Sequence, residues 1–167
     1  MSKTVDLILT NATVLTMDKA LNQYNPGAVA VSDDSIIDVG FTSEITEKYT
    51  SKTVFDCKER VLMPGFVNTH THIPMTLLRG LADDLRLEVW LLGYVIPVEC
   101  EFVSKDFVEL GTKIGCAELI RTGVTTFVDM YYFENEVAKI TADIGLRAIC
   151  SQTVLKFPTP DAKSYED

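Results

Sequence analysis

Cysteine pairs at metal-binding or disulfide spacing are missing from this sequence. The chain has four cysteines in 167 residues, and no two of them form a CxxC motif. They are Cys57, Cys100, Cys116 and Cys150. Their scatter argues against a disulfide framework and against a structural zinc knuckle. We therefore expect small buried thiols in a reducing compartment, which is the cytoplasm.

Positive charge is also in short supply. Fifteen lysines and arginines stand against 24 aspartates and glutamates, which gives a formal net charge of -9. A chain with this balance repels phosphate backbones and anionic membrane surfaces on average. The charge therefore argues against nucleic acid and membranes as partners.

Long apolar runs are absent as well. No segment approaches the roughly 20 apolar residues that a membrane-spanning helix needs. The opening MSKTVDLILTNATVL lacks the apolar centre and small-residue cleavage site of a secretory signal. Even so, 47% of the residues are hydrophobic, which is enough to form a core. The sequence predicts a folded, soluble, cytoplasmic protein.

Short β-rich segments separated by turn signals make up residues 1–58. VDLILT and VLTMD flank the turn-forming NAT, and AVAVS and SIIDVG flank a pair of aspartates. These patterns predict two hairpins, and TVFDC adds a further strand. We expect a small antiparallel sheet, which has so few strands that one face must pack against another layer.

Beyond Arg60, strands alternate with helical segments at the spacing of βα units. The predicted strands are VLMPGFVNTH, VTTFVDM and RAICSQTVL, and ENEVAKITADIG is a helix between the last two. VLMPGFVNTH is almost continuously apolar, as expected for a strand buried on both faces. An apolar stripe predicts another helix over Lys105–Arg121, with Ser104 as N-cap and Gly123 as stop.

A long connection, residues 73–103, separates the first of these strands from the helix that follows. It has helical periodicity of its own and contains the only tryptophan of the chain. Connections that follow barrel strands often build the ligand site. We therefore expect part of a binding site in this segment.

Both histidines of the chain lie in the segment PGFVNTHTH, residues 64–72. Side chains two positions apart on a strand point to the same side, so His70 and His72 project together. Neutral imidazoles bind zinc, iron and related ions, and such ligands sit at the C-terminal ends of barrel strands. The alternative is two partly exposed histidines near a turn that bind no metal. The spacing alone leaves both possibilities open.

PGFVNTHTH resembles the first barrel strand of the amidohydrolase superfamily, where a PG pair introduces an HxH metal motif. The similarity continues through HTHIPMTLLRGLADDLRLEVWLLGYVIPVE and GVTTFVDMY. These segments look like the branch that contains S-adenosylhomocysteine and methylthioadenosine deaminases and related chlorohydrolases. The resemblance implies an α/β fold, with a small β-sandwich portion over residues 1–58. Residues 59–167 would form the first strands and helices (βα1, βα2 and β3) of a (β/α)8 TIM-type barrel that is incomplete in this chain.

The resemblance also implies half of a metal centre. His70 and His72 would bind a divalent metal, which is zinc or alternatively iron. In the family, further histidines, an aspartate and a glutamate come from later barrel strands, so no catalytic acid or base is expected in this chain. The remainder of the barrel, on the same polypeptide or on another chain, is therefore an expected partner. We also expect a homo-oligomer when the barrel is complete.

Three residues are expected to contact the substrate by the same resemblance. Glu99, in IPVE, would bind ribose hydroxyls, because a carboxylate accepts two hydrogen bonds from a vicinal diol. The alternative for Glu99 is a solvated or salt-bridged surface residue. Trp90 would be a flat apolar wall for the ring, or alternatively part of the core. Gln152 stands where the deaminases carry an arginine, and its amide can bind a ring or a sugar but cannot pair with a carboxylate.

Two other polar residues are assigned no chemistry. Arg79 matches the family pattern, and we expect it to pair with Asp83 or Asp84. Asp129 lies at the end of the second predicted barrel strand. Local carboxylates, on Asp129 and Glu99, are the alternative source of further metal ligands, but an aspartate at a strand end is more often a cap or a hydrogen-bond partner.

The function implied is that of a metal-dependent aminohydrolase acting on a purine nucleoside or a related heteroaromatic ring. The alternatives are a triazine-type chlorohydrolase or another amidohydrolase of cyclic C–N bonds, and a non-catalytic fragment that acts only as part of an assembly. A cytidine-deaminase type of zinc site is disfavoured, because its H-x-E and P-C-x-x-C elements are absent. The isolated 167 residues are expected to be inactive.

Overall fold

The computed structural model describes residues 2–164 and residue 166. The chain divides into two compact units, Met1–Pro64 and Gly65–Asp167. The sequence pattern placed the change of architecture after residue 58, a few residues earlier. Within the described residues, none of the helices has the length and apolar character needed to cross a membrane.

The first unit is built around a five-stranded sheet. Its elements are β1 (Lys3–Thr4), β2 (Leu7–Leu15), β3 (Gln23–Ser32), β4 (Ser35–Phe41), α1 (Thr42–Lys48), β5 (Tyr49–Thr50), β6 (Thr53–Asp56) and β7 (Val61–Leu62). The strand order is β4-β3-β2-β6, with β7 also paired to β2, and β1 pairs with β5 in a separate ribbon. Strands β2, β3 and β4 are antiparallel, whereas β6 and β7 run parallel to β2. The sheet is therefore mixed, and the prediction of an antiparallel sheet was wrong for its last two strands.

One of the two predicted hairpins exists. β3 and β4 are joined by Asp33 and Asp34, as the sequence predicted. The other prediction was wrong, because β2 runs straight through NAT instead of turning there. Asn11 takes a left-handed conformation, with φ 53°, and the pairing with β3 shifts register beside it. Asn11 is accommodated as a β-bulge within the strand, because the alternation of buried side chains continues from Ile8 to Val14.

The second unit contains the predicted βα series. Its elements are β8 (Phe66–Thr71), a 3₁₀ segment (Ile73–Leu78), α2 (Leu87–Trp90), a π-helical stretch (Leu91–Val95), α3 (Ile96–Phe102), α4 (Lys105–Arg121), β9 (Val124–Tyr131), α5 (Glu134–Ile144) and β10 (Arg147–Gln152). The three strands are parallel, in the order β10-β9-β8. Helix α4 has the predicted bounds, and the Ser104 hydroxyl accepts a hydrogen bond from the Phe107 amide at 3.3 Å. The sequence thus predicted this architecture well.

The strand that bears the histidines differs from its prediction. VLMPGFVNTH is not continuous but breaks at residues 63–65, between β7 and β8. Nor is β8 buried on both faces, because the side chains of Phe66 and Val67 are 54% and 59% exposed. β8 is an edge strand of the described three-stranded sheet, so one flank has no neighbouring strand there. The apolar composition suits a strand that is covered by further structure.

Helix α4 packs closely on the segment that follows β8. A Cβ atom at Gly111 would lie 2.5 Å from the Pro74 carbonyl oxygen. At Gly115 it would lie 2.4 Å from Cγ1 of Ile73. The two missing side chains let the helix approach the backbone, and residues 73–74 are buried beneath it. The chain just after the histidines is therefore held against a rigid element.

Candidate metal centre and adjoining cavity

Strand β8 brings the two histidines together at its carboxyl end. The ring centroids of His70 and His72 are 5.0 Å apart, and the ring planes are inclined at 77°. The His70 ring is exposed, and the His72 ring is half-buried. The His70 amide donates a hydrogen bond to Oδ1 of Asn68 at 3.2 Å. This bond restrains the backbone from residue 68 to residue 70. Two imidazoles at this separation, open to solvent, have the arrangement needed to share an ion.

A hydrogen bond to the next strand orients the ring of His72. Its Nδ1 lies 2.5 Å from the carbonyl oxygen of Met130 in β9. A carbonyl only accepts, so Nδ1 carries the proton and Nε2 keeps its lone pair. Metal-binding histidines commonly donate their second ring N–H to a carbonyl in this way. The donor set thus fits zinc or iron as two nitrogen ligands.

Asp129 contacts the residues on both sides of His72. This side chain is 1% exposed. Its Oδ1 accepts a hydrogen bond from the Ile73 amide at 2.7 Å and another from the Thr71 hydroxyl. The expectation that Asp129 acts as a hydrogen-bond acceptor is confirmed.

A second buried carboxyl faces Asp129. Glu134 begins α5 and is 5% exposed, and its carboxyl oxygens lack a conventional donor, as does Oδ2 of Asp129. Burial, followed by the neighbouring Asp129 carboxylate, raises the pKa of Glu134 to about 8. A protonated Glu134 can donate to Asp129, which satisfies both groups. Sequence reasoning missed this pair, because an acidic residue in a first helical turn also occurs simply as a partner of the helix dipole.

A cavity of about 460 Å³ adjoins His72. It is lined by His72, Met75, Trp90, Leu91, Leu92, Val95, Ile96, Glu99, Met130, Tyr131, Tyr132, Thr153, Leu155 and Phe157. Three of the residues singled out from the sequence, His72, Trp90 and Glu99, therefore meet in one place. His70 and Gln152 are not among the lining residues.

Glu99 differs from the loop residue that its sequence context suggested. It lies on α3 and is 4% exposed, so the alternative of a solvated or salt-bridged surface residue is excluded. The hydroxyl of Tyr132 donates to Oε2 of Glu99 at 3.3 Å. Burial raises the pKa of Glu99, although the neighbouring hydroxyls of Tyr131 and Tyr132 oppose the shift. The two tyrosines were missed, and their only signal was an aromatic pair directly after a predicted strand.

Gln152 is engaged elsewhere. Its Nε2 donates to Oδ2 of Asp161 at 2.6 Å, and its Oε1 accepts from the Glu134 amide at 3.4 Å. It lines a separate cavity of about 180 Å³ together with Thr159 and Asp161. The structure thus does not bring Gln152 to the cavity beside His72.

The expected partner of Arg79 was wrong. Its guanidinium makes a two-pronged ion pair with Glu118 of α4, at 3.0 and 2.7 Å, rather than with Asp83 or Asp84. Glu118 follows Arg79 by 39 residues, so no local spacing rule could have found it. The pair joins the segment after β8 to helix α4.

The parallel βα series and the paired histidines at a strand end define the class of protein. Residues 61–167 match the model of the amidohydrolase family, and the chain belongs to this family. Within the described residues, no group of three or more histidine, cysteine, aspartate or glutamate side chains could hold a metal ion.

The relatives narrow the class further. The chain is 38% identical over 163 residues to a 5-methylthioadenosine/S-adenosylhomocysteine deaminase of Syntrophus aciditrophicus, covering 98% of the chain and 37% of the relative. It is 43% identical over 152 residues to a 5'-deoxyadenosine deaminase of Methanosarcina mazei, covering 91% and 34%.

A solved structure agrees. The crystal structure of an adenosine deaminase from Xanthomonas campestris with bound zinc superposes with a TM-score of 0.95 at 35% identity. The match covers 99% of this chain and 38% of that one. The resemblance to the deaminase branch is confirmed, and the chain spans little more than a third of the length of these proteins.

Proposed function

We propose that this chain is the N-terminal part of a metal-dependent aminohydrolase that deaminates a purine nucleoside or a related heteroaromatic ring. The proposal is supported by relatives named for deamination of adenosine derivatives. The observation that carries it is the meeting of His72, Trp90 and Glu99 at one cavity. A metal ligand, a flat apolar wall and a carboxylate are the groups that a nucleoside deaminase needs.

His70 and His72 would hold the metal, and zinc is the leading candidate because the adenosine deaminase structure contains it. When bound, the ion supplies a water whose pKa is lowered enough to give hydroxide near neutral pH. Catalytic zinc usually has three protein ligands and an open position. The further ligands, and the groups that move protons during the reaction, would come from the remainder of the barrel.

Glu99 and Trp90 would bind the substrate. Oε2 of Glu99 is already oriented by the Tyr132 hydroxyl. A carboxylate placed so can accept from both hydroxyls of a vicinal diol such as ribose. The indole of Trp90 offers a flat apolar surface for the ring. Because Gln152 lies apart, its proposed substrate contact would require it to leave Asp161.

The proposed reaction is a hydrolytic displacement. The bond from a ring carbon to its exocyclic amino nitrogen breaks, a bond from that carbon to the oxygen of water forms, and ammonia leaves. The carboxylate of Glu99 fixes the sugar, so that the ring carbon is presented beside His72. Release of chloride from a chlorinated triazine is the alternative outcome for the same scaffold.

The cellular setting is part of the proposal. All four cysteines are free, which supports a reducing cytoplasm. A homo-oligomer in the complete enzyme stays a prediction, and so does the division into a β-sandwich portion over residues 1–58 and a barrel portion over residues 59–167.

The test compares Glu99→Gln with Glu101→Gln in the complete protein. Glu101 is exposed on the same helix and serves as the matched control. Ammonia release is measured with 5'-deoxyadenosine, methylthioadenosine and free adenine. Loss of one charge-assisted pair of hydrogen bonds should raise KM for the nucleosides about tenfold to a hundredfold, with little effect on adenine. Equal effects on nucleosides and adenine contradict the assignment of Glu99 to ribose.

His70→Ala and His72→Ala test the metal site. Each should lose zinc, measured by elemental analysis, and detectable ammonia release. Retention of zinc in both variants contradicts the site. Chloride release from chlorotriazines without ammonia release from any aminated ring would replace the deaminase proposal by the chlorohydrolase alternative.

A further inference from the structure

Three consecutive residues of β9, Val128, Asp129 and Met130, contact the three consecutive residues that centre on His72. The single proton of the Thr71 hydroxyl is shared between Oδ1 of Asp129 and the Val128 carbonyl oxygen, which lies 2.9 Å from that hydroxyl. Oδ1 of Asp129 also accepts from the Ile73 amide, and the Met130 carbonyl accepts from Nδ1 of His72. Residues 71, 72 and 73 are thus each tied to the neighbouring strand by a different donor.

This arrangement is more than ordinary strand pairing. The ladder between β8 and β9 loses its regular register between Asn68 and Thr71, where Thr71 is opposite Asp129. Backbone pairing therefore weakens at the point where the histidines lie. The buried carboxylate of Asp129 replaces it, since one oxygen receives both an O–H and an N–H donor.

Asp129 is not available as a ligand in this geometry. Its Oδ1 already accepts from Thr71 and Ile73, and Oδ2 is buried. The residue nevertheless affects His72, because it holds the Thr71 side chain immediately before His72 and the Ile73 backbone amide immediately after it. A substitution that removes both side-chain oxygens of Asp129, such as Asp129→Ala, would leave the buried Ile73 amide without its acceptor.

We propose that Asp129 is a positioning residue for the metal centre, which it serves by fixing the backbone that bears His72 while the Met130 carbonyl fixes the ring. The role rests on the proposed function, because it presupposes that His72 binds the metal. Groups that orient metal ligands from behind typically contribute tenfold to a hundredfold to metal affinity. Asp129 should act on this scale.

The experiment uses the complete protein loaded with zinc or cobalt(II). Zinc affinity is measured by competition with a chromophoric chelator, and the visible absorption of the cobalt form reports ligand geometry. Asp129→Ala should weaken zinc binding about tenfold to a hundredfold and change the cobalt spectrum. Asp129→Asn keeps an oxygen acceptor for Thr71 and Ile73, so it should retain most of the affinity.

A second pair of variants keeps the test decisive if Asp129→Ala does not fold. Thr71→Val removes one donor to Asp129 and should weaken zinc binding severalfold, whereas Thr71→Ser should behave as the parent. Thr141→Ala is the control for general destabilisation, because Thr141 is buried on α5 and its hydroxyl faces Cys116. It should lower stability and leave the cobalt spectrum unchanged.

The outcomes separate this role from the metal site itself. Parent-like zinc affinity and cobalt spectrum in folded Asp129→Ala or Thr71→Val overturn the positioning role, as does an equal loss in Thr141→Ala. Zinc binding that His72→Ala leaves unchanged overturns the proposed metal site, and the positioning role with it.

Discussion

The two units of this chain differ in what they bury. Among the described residues, the first unit buries one polar side chain, Thr10, and its core consists of aliphatic residues and Cys57. The second unit buries three carboxyl groups, on Glu99, Asp129 and Glu134. Taking a carboxyl out of water costs free energy unless it is paired or protonated. The apolar core of the first unit thus favours stability, whereas the second unit retains buried carboxyl groups that cost free energy around its candidate site.

The position of the buried carboxyl groups supports this view. Asp129 lies near the carboxyl end of β9 and Glu134 begins the following helix. Glu99 lies at the cavity beside His72. In barrel enzymes this edge of the sheet bears the active site. The buried carboxyl groups therefore lie in the part of the unit that contains the candidate site.

The largest expected effect is in the apolar core of the first unit. Ile45 is fully buried among Val5, Ile8 and Ala30, so Ile45→Ala should cost about 2–5 kcal/mol in the free energy of unfolding. Zinc affinity should not change under conditions where the protein stays folded. Chemical denaturation and the chelator assay measure the two quantities. A fall in zinc affinity in the folded variant would contradict the conclusion that the first unit contributes to stability and not to metal binding.

The next largest effect concerns the dependence of stability on pH in the second unit. The folded pKa of Glu134 is raised, so its contribution favours folding below the unfolded pKa near 4.5 and is lost as the pH rises toward 8. Glu134→Gln removes this dependence. At pH 8 the variant should be more stable than the parent by about 2–4 kcal/mol, since one pKa unit corresponds to about 1.4 kcal/mol.

Denaturation at pH 5, 6, 7 and 8 measures this difference. Asp143→Asn, an exposed change on the same helix, is the control and should follow the parent curve. If the free energy of unfolding depends on pH in the same way for the parent and for Glu134→Gln, the buried Glu134 carboxyl does not lower the stability of the second unit at high pH.

The smallest expected effect is at the surface, where the units should not differ. Arg79 pairs with Glu118 in the second unit, and Lys48 pairs with Asp38 in the first, all with partly or largely exposed side chains. Exposed pairs contribute little and are screened by salt. Arg79→Gln and Lys48→Gln should each shift Tm by no more than about 2 °C. If only one of the two variants lost much more than about 2 °C in Tm, the units would differ in their surface ion pairs as well as in their cores.

The sequence was informative where a local pattern decides the structure. The apolar stripe and caps of α4 predicted that helix with its bounds, and the i, i+2 spacing predicted that His70 and His72 project together. It misled where tertiary contacts override local preference. NAT has turn-forming residues, yet β2 continues through Asn11 because the buried alternation on either side is worth more.

The supporting groups of the candidate site could not be predicted from spacing. Met130 follows His72 by 58 residues, and Asp129 follows Ile73 by 56. Every residue type has a backbone carbonyl oxygen, so the contact between the Met130 carbonyl and His72 cannot be predicted from the amino-acid sequence. The burial of Glu134 depends on the packing of α5, which periodicity does not specify.

The bonds from β9 to residues 71–73 also set an order of events during synthesis. A nascent chain that has emerged only as far as α4 contains both histidines but neither Asp129 nor Met130. The His72 imidazole of such a chain would have no fixed orientation, because the Met130 carbonyl that orients it has not yet left the ribosome. Long-range contacts of this kind form late in folding. In the proposed metal centre, His72 is thus oriented only when the second barrel strand docks, well after both histidines have been made.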